Sequence, residues 1–298
     1  MIIDIHTHPT NTVDAAWRHG GTPYTGERLI ELMDGPYMVC GKERRVDYSV
    51  VQPPPGNTVW RDGMPTGREG IRHYMAYCRE LVHKYPDRLI GCFTYNPRFG
   101  VEAEIEELER HVKEDGFKMV KIHSNMHAYR PDRATDWIFP VGEKAGELGI
   151  PVLIHTGDPP YSIPSQFYPL IDHCPQTTFI IGHFGIQTGA AYPFDAAWMT
   201  KKNANVLVET GWCFQSRIVE FMDLLGPEKM VFGTDSPPNE PGVWIRMLEV
   251  LTWDYPQGCN LSEEGLEKVL GNNIAPLLGL SPDGGAQSRG SERERVEA

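Results

Sequence analysis

The stretch FKMVKIHSNMHAYRPDRATDWIFPVGEKAGELGIPVLIHT (117–156) decides the fold. It opens on a short apolar run, FKMVKIH (117–123), and closes on another, PVLIHT (151–156). Between them, residues 141–148 have helical spacing and stop at Gly149. Nearly continuous apolar runs of this length suit strands covered on both faces, as in parallel sheets. Working outward, the same kind of run recurs as IIDIH (2–6), VDYSVVQ (46–52), LIGCFTY (89–95), TTFIIGH (177–183), NVLVET (205–210) and KMVFGTD (229–235), which makes eight in all. Helical patterns fall between them. Residues 67–85 carry Ile71, Tyr74, Met75, Cys78, Leu81 and Val82; residues 101–115 carry Ile105, Leu108 and Val112 and stop at Gly116. Segments 161–173, 192–202, 214–225 and 241–253 follow suit, and a helical pair, 262–270 and 273–278, comes after the eighth run. Eight β/α repeats in one order predict an α/β fold, a single (β/α)8 TIM barrel with C-terminal helices, rather than an open doubly wound sheet.

The count also resolves the length. A chain of 298 residues would suggest two average domains, but a barrel uses about 250 residues as one. The barrel is expected over 1–280. The tail 281–298, SPDGGAQSRGSERERVEA, is too poor in apolar residues to order itself and is expected to be disordered. Pro/Gly-rich stretches at 9–25 and 53–66 read as long loops after the first two strands, on the face where a barrel builds its site. The 28 basic and 40 acidic residues give a net charge of −12, which argues against nucleic acid as a partner. The six cysteines lie far apart without a CxxC pair, so neither a zinc ribbon nor a redox pair is indicated. No signal peptide or membrane span is read, and a cytoplasmic protein with reduced thiols is expected.

Five of the eleven histidines occupy strand ends. His6 and His8 end the first run; as i and i+2 of a strand they point to the same face. His123, His155 and His183 end the fourth, fifth and sixth, and Asp235 ends the eighth. Barrel closure would bring Asp235 beside His6 and His8. Any one of these residues alone has an ordinary reading: a buried histidine satisfied within the core, or Asp235 capping the turn at Ser236-Pro237. Together, three imidazoles and a carboxylate with room for water match a catalytic transition-metal site of N/O type. Arg98, Arg217 and Trp212 sit in loops on the same face, as do Asn125, His127, Tyr129 and Arg130. Arginine suits carboxylate recognition, and tryptophan offers a flat apolar wall. The rival reading of these is loop arginines paired with acids, and core aromatics. Trp60 and Arg61 are weaker candidates of the same kind. Arg98, His123, Trp212 and Arg217 are taken as substrate contacts.

The set IDIHTHP (3–9), FKMVKIH (117–123), PVLIHTG (151–157), IIGHFG (181–186), VFGTDSP (231–237) and GNNIAPLLGL (271–280) resembles the amidohydrolase superfamily. More closely it resembles the branch containing 2-amino-3-carboxymuconate-6-semialdehyde decarboxylase, γ-resorcylate decarboxylase and related hydrolases and hydratases. The resemblance implies that His6, His8, His155 and Asp235 hold one divalent metal, zinc in the first instance and manganese as the alternative. It further implies that Asp235 shuttles a proton, and that His183 polarises or protonates the substrate. Some members carry a carboxylated lysine on strand 4 that bridges two metals. Lys121 stands at that strand, but the mononuclear branch does not use it, and a pairing with buried acids is the simpler reading. The expected function is a metal-dependent hydrolase acting through a metal-activated water on a small carboxylated cyclic or aromatic compound. The alternative is a non-oxidative decarboxylase (carboxy-lyase) of an aromatic or muconate-type acid, and behind both stands a non-catalytic metal-binding barrel. A small-molecule substrate and a homodimer are the partners the resemblance implies.

Overall fold

The computed structural model describes residues 1–11, 24–54, 67–187 and 190–281. Trp60 and Arg61, most of both long loops, and residues 282–298 of the tail lie outside them. Eight parallel strands form one sheet in chain order: β1 (Ile3–Thr7), β2 (Tyr48–Val51), β3 (Leu89–Tyr95), β4 (Met119–Ile122), β5 (Val152–Ile154), β6 (Phe179–Ile181), β7 (Val206–Glu209) and β8 (Met230–Val231). Each coincides with one of the eight apolar runs. The sheet closes on itself. Ile5 N–H donates to Phe232 O at 3.2 Å, Asp235 N–H to His6 O at 2.8 Å and His8 N–H to Ser236 O at 2.9 Å. The fold is the expected (β/α)8 barrel.

The near-continuous apolar character of the strands follows from two separate cores. Alternate side chains point inward, and Ile3, Ile5, Val50, Ile90, Cys92, Met119, Leu153, Ile180 and Val231 fill the barrel lumen. Their neighbours Ile2, Val51, Phe93, Val120, Ile122, Val152, Ile154, Val206 and Val208 face the helices. Ile274, Ala275, Leu278 and Leu280 join the inner cluster, so the C-terminal segment plugs the barrel. Polar groups therefore concentrate at the opposite end, where the strands finish.

The surrounding helices are α1 (Gly26–Asp34), α2 (Gly67–Lys84), α3 (Val101–Glu114), α4 (Thr135–Leu148), α5 (Tyr168–His173), α6 (Pro193–Lys202), α7 (Gln215–Leu225), α8 (Pro241–Glu249) and α9 (Glu263–Glu267). Two features differ from the sequence reading. α1 and an antiparallel hairpin (Tyr37–Val39 with Lys42–Arg44) follow the first loop unannounced. α1 is nine residues long and buries only Gly26, Leu29 and Met33, too few apolar positions to show a period. Its start is clear in hindsight, since Thr25 caps it by accepting the Arg28 N–H at 3.2 Å. α4 begins at Thr135 rather than near 141, because Pro140 is accommodated inside the helix instead of starting it. No helix among the described residues is long and apolar enough to cross a membrane.

Candidate metal centre

The strand ends meet in a buried polar cluster. His6 and His8 leave β1 on one face, and each approaches Asp235 Oδ1, His6 Nε2 at 3.4 Å and His8 Nε2 at 3.0 Å. The closing hydrogen bonds of the barrel hold this pairing, since Asp235 N–H is itself bound to His6 O. Below it, Asp4 accepts the His6 N–H (3.1 Å), the Thr234 N–H (3.0 Å) and the Thr234 hydroxyl (2.6 Å), which pins β1 to the end of β8. Burial pushes the Asp4 carboxyl up to about 7 despite those three bonds.

The hydrogen-bond pattern fixes most of the ring nitrogens. Pro53 O can only accept, so His8 Nδ1 carries the proton of their 2.8 Å bond and Nε2 faces Asp235. Asp158 Oδ2 takes the His155 Nε2–H at 2.7 Å, which leaves His155 Nδ1 as the acceptor facing His183 Nε2 at 3.1 Å. Lys121 Nζ lies 3.0 Å from His6 Nε2. Carboxylate and carbonyl partners on the far nitrogen are the arrangement that orients imidazole ligands.

Electrostatics agree. Burial first, helped by the Lys121 ammonium, holds His6, His123 and His183 well below the ordinary histidine range, against the opposing pull of Asp235 on His183. Burial likewise lowers His155, against the pull of Asp158. Neutral imidazoles are the form that binds metal. Burial would raise Asp235, but hydrogen bonding by His8 and the neighbouring Lys121 ammonium outweigh it and hold the carboxyl below the ordinary carboxylate range. Burial brings the Lys121 ammonium down to about 8.

Donor atoms of His6, His8 and Asp235 lie within 4.8 Å of one another, and so do those of His6, His183 and Glu209. The donor set fits a divalent N/O cation. Two imidazole nitrogens, His6 Nε2 and His8 Nε2, converge on the buried Asp235 Oδ1. His155 stands one contact away, behind His183.

The other expected residues divide. His123 is buried and stacks on His155 with ring centroids 3.7 Å apart, a wall of the same chamber. Trp212 joins the cluster in a different role from an apolar wall: its indole N–H donates to Asp235 Oδ2 at 2.5 Å. Arg98 turns away. Its guanidinium donates to the carbonyls of His127 and Ala128 and lies over Trp137, so it ties down the loop after β4. Arg217 is exposed on α7 and paired with Glu220 at 2.6 Å, and Arg130 is paired with Asp132 on the surface. His127 and Tyr129, in that same loop, are buried. The partnered-arginine alternative describes these arginines better than substrate binding does.

One residue escaped the sequence reading altogether. Glu209, at the end of β7, is fully buried and lies 3.6 Å from His6 Nδ1 and 3.5 Å from His183 Nδ1. The only local signal was a carboxylate at the tip of an apolar run. His183, Phe184, Trp212 and Asp235 also share a left-handed backbone, with φ of 60°, 52°, 59° and 60°. Non-glycine residues held there cost about 1–3 kcal/mol each, and such strain collects at functional sites.

Comparison with known proteins agrees with this fold. The amidohydrolase family model matches residues 3–280. Among solved structures, a dihydroxybenzoic acid decarboxylase from Polaromonas sp. JS666, with bound manganese and the inhibitor 2-nitroresorcinol, has a TM-score of 0.66 at 20% identity over 93% of this chain and 96% of its own. The 5-carboxyvanillate decarboxylase from Sphingomonas paucimobilis has a TM-score of 0.65 at 18% identity, covering 94% of this chain and 99% of its own. A 2,6-dihydroxybenzoate decarboxylase in complex with 2,6-dihydroxybenzoate has a TM-score of 0.65 at 14% identity, covering 94% and 100%. At these identities the likeness is one of fold. No curated protein sequence matches the chain. A family match that runs from the first barrel strand to the plug beneath the barrel leaves one conclusion: the chain belongs to the amidohydrolase family.

Proposed function

We propose that this chain is a metal-dependent non-oxidative decarboxylase of a small aromatic or muconate-type acid. The observation that carries the reading is the buried His6–His8–Asp235 donor group at the mouth of a barrel whose solved likenesses include decarboxylases of dihydroxybenzoic acid and 5-carboxyvanillate. Hydrolysis, the first expectation from the sequence, takes second place because the solved structures that share this fold include decarboxylases of dihydroxybenzoic acid and 5-carboxyvanillate.

In the proposed reaction the bond between ring carbon and carboxylate breaks, its electron pair stays on the carbon, and that carbon takes a proton as carbon dioxide leaves. His6, His8, His155 and Asp235 would hold one divalent ion, which when bound polarises and orients a substrate oxygen. Asp235 is kept ionised and aimed by Trp212 and His8. His183 is the proposed proton donor, and His123 forms the chamber wall. Manganese is the first ion to test, because the Polaromonas structure holds it, and zinc the second.

The test is product analysis of the metal-loaded protein on hydroxylated benzoates and 5-carboxyvanillate in ¹⁸O-labelled water. The expected result is released carbon dioxide with no ¹⁸O in the organic product. Product oxygen derived from water, without carbon dioxide, would make the enzyme a hydrolase instead.

A further inference from the structure

We propose that Glu209 is the positioning residue of this site: it fixes the tautomer and aim of His6 and braces the turn that presents His183. Its side chain sits in a purpose-shaped slot. A Cβ added at Gly211 would lie 2.2 Å from Glu209 Oε1, and one added at Gly233 would lie 2.5 Å from it, so glycine at both positions makes room for this carboxylate. Both oxygens are committed as acceptors. Oε2 takes the His183 N–H at 2.6 Å, where the chain enters its left-handed bend, and Oε1 takes the Gly211 N–H at 2.7 Å.

The remaining capacity of Oε2 points at the ring of His6. His6 Nδ1 faces Glu209 Oε2 at 3.6 Å, and Lys121 Nζ lies 3.0 Å from His6 Nε2, so the carboxylate draws the ring proton to Nδ1 and the ammonium is compatible with it there. Among the described residues His6 Nδ1 has no hydrogen-bond partner, and the carboxylate of Glu209 is the acceptor it faces. A carboxylate behind Nδ1 leaves Nε2 without a proton on the side of Lys121 and Asp235, and the bond to the His183 N–H ties β7 to the end of β6. Glutamine cannot replace it. An amide has one acceptor oxygen, and its NH₂ would confront one of the two backbone N–H groups. The part concerning metal rests on His6 being a ligand; the tautomer does not.

The experiment compares wild type, Glu209→Gln, Gly233→Ala and Val208→Ala. Gly233→Ala keeps the carboxylate but displaces it, and Val208→Ala loosens the same strand through its outer, apolar side. Histidine ¹⁵N spectra of the metal-free proteins report the tautomer, with His6 assigned by its loss in His6→Gln. Titration with manganese and with zinc reports affinity. We expect His6 to be Nδ1-protonated in wild type and Val208→Ala and mixed in the other two, with metal binding weakened 10–100-fold in those two. If all three variants melt lower yet keep the wild-type His6 signal, Glu209 is merely structural and the proposal is wrong. If wild type binds neither ion, the metal reading fails alone, because the metal-free spectra still decide the role of Glu209.

Discussion

Replacing Glu104 with glutamine should stabilise this protein at alkaline pH and do nothing at acid pH. Glu104 lies in the first turn of α3, is 4% exposed, and accepts the Asn96 N–H at 3.2 Å. It lines a cavity of about 90 Å³ between α2 and α3, together with Arg72, Arg79 and Arg110. Burial lifts its carboxyl from 4.5 to about 7, against the smaller opposing effects of the Asn96 bond, Arg72 and Arg68. Below pH 4.5 both folded and unfolded chains carry the proton, so no penalty exists. Between 4.5 and 7 the unfolded chain ionises first and gains stability. Above 7 the penalty is complete, about 3 kcal/mol at 1.36 kcal/mol per pKa unit. The amide keeps an acceptor for Asn96 but gives up the attraction of Arg68 and Arg72, so a net gain of about 1–3 kcal/mol is expected at pH 8. For a chain of this size that is a rise in melting temperature of several degrees. Paired melts of wild type and Glu104→Gln at pH 4.5 and 8 measure it. A variant that melts no higher than wild type at pH 8, or by the same margin at both pH values, would refute burial as the dominant influence.

Three further outcomes are expected. His6→Ala and His8→Ala should each reduce bound metal from about one equivalent to a small fraction, read by elemental analysis after gel filtration; full metal content in either would remove that residue from the ligand set. Trp212→Phe deletes one charge-assisted hydrogen bond to Asp235, worth about 1.5–3 kcal/mol, so the acid limb of the pH–rate profile should move upward; an unmoved limb would mean the indole N–H does not tune Asp235. Gly91→Ala would place a Cβ 2.2 Å from the ring of Phe117, a fully buried side chain, and should destabilise the barrel by about 1–3 kcal/mol without changing metal content. Unaltered chemical denaturation would show that Phe117 has room to move.

The fold was legible because a parallel barrel buries its strands on both faces. Runs such as PVLIHT and TTFIIGH are therefore apolar throughout and end abruptly where the polar mouth begins. The ligand candidates were legible for the same reason, as histidines at the ends of otherwise apolar strands. What was hidden depends on partners distant in sequence. Glu209 gains its meaning from a backbone N–H 26 residues away and from His6 at the other end of the chain. Arg98 and Arg217 occupy the right loops, but the direction of a long side chain is set by whatever acceptor it meets first, here two carbonyls and Glu220. Trp212 was placed correctly but its indole N–H was overlooked. The left-handed bends at His183, Phe184, Trp212 and Asp235 gave no warning, because the usual cue for positive φ is glycine.

The seam between β1 and the end of β8 has a consequence for how the protein is made. Thr234 and His6 touch across 228 residues of chain. During synthesis the first strand emerges with two of its histidines in place and must wait for nearly the whole barrel before its second edge is covered. The donor group cannot exist earlier, because Asp235 arrives with that last edge. On the proposed site, metal capture at His6, His8 and Asp235 would report a completed circle, and a ribosome-stalled or proteolysed chain that ends before residue 230 should hold no ion there however native its remaining strands become.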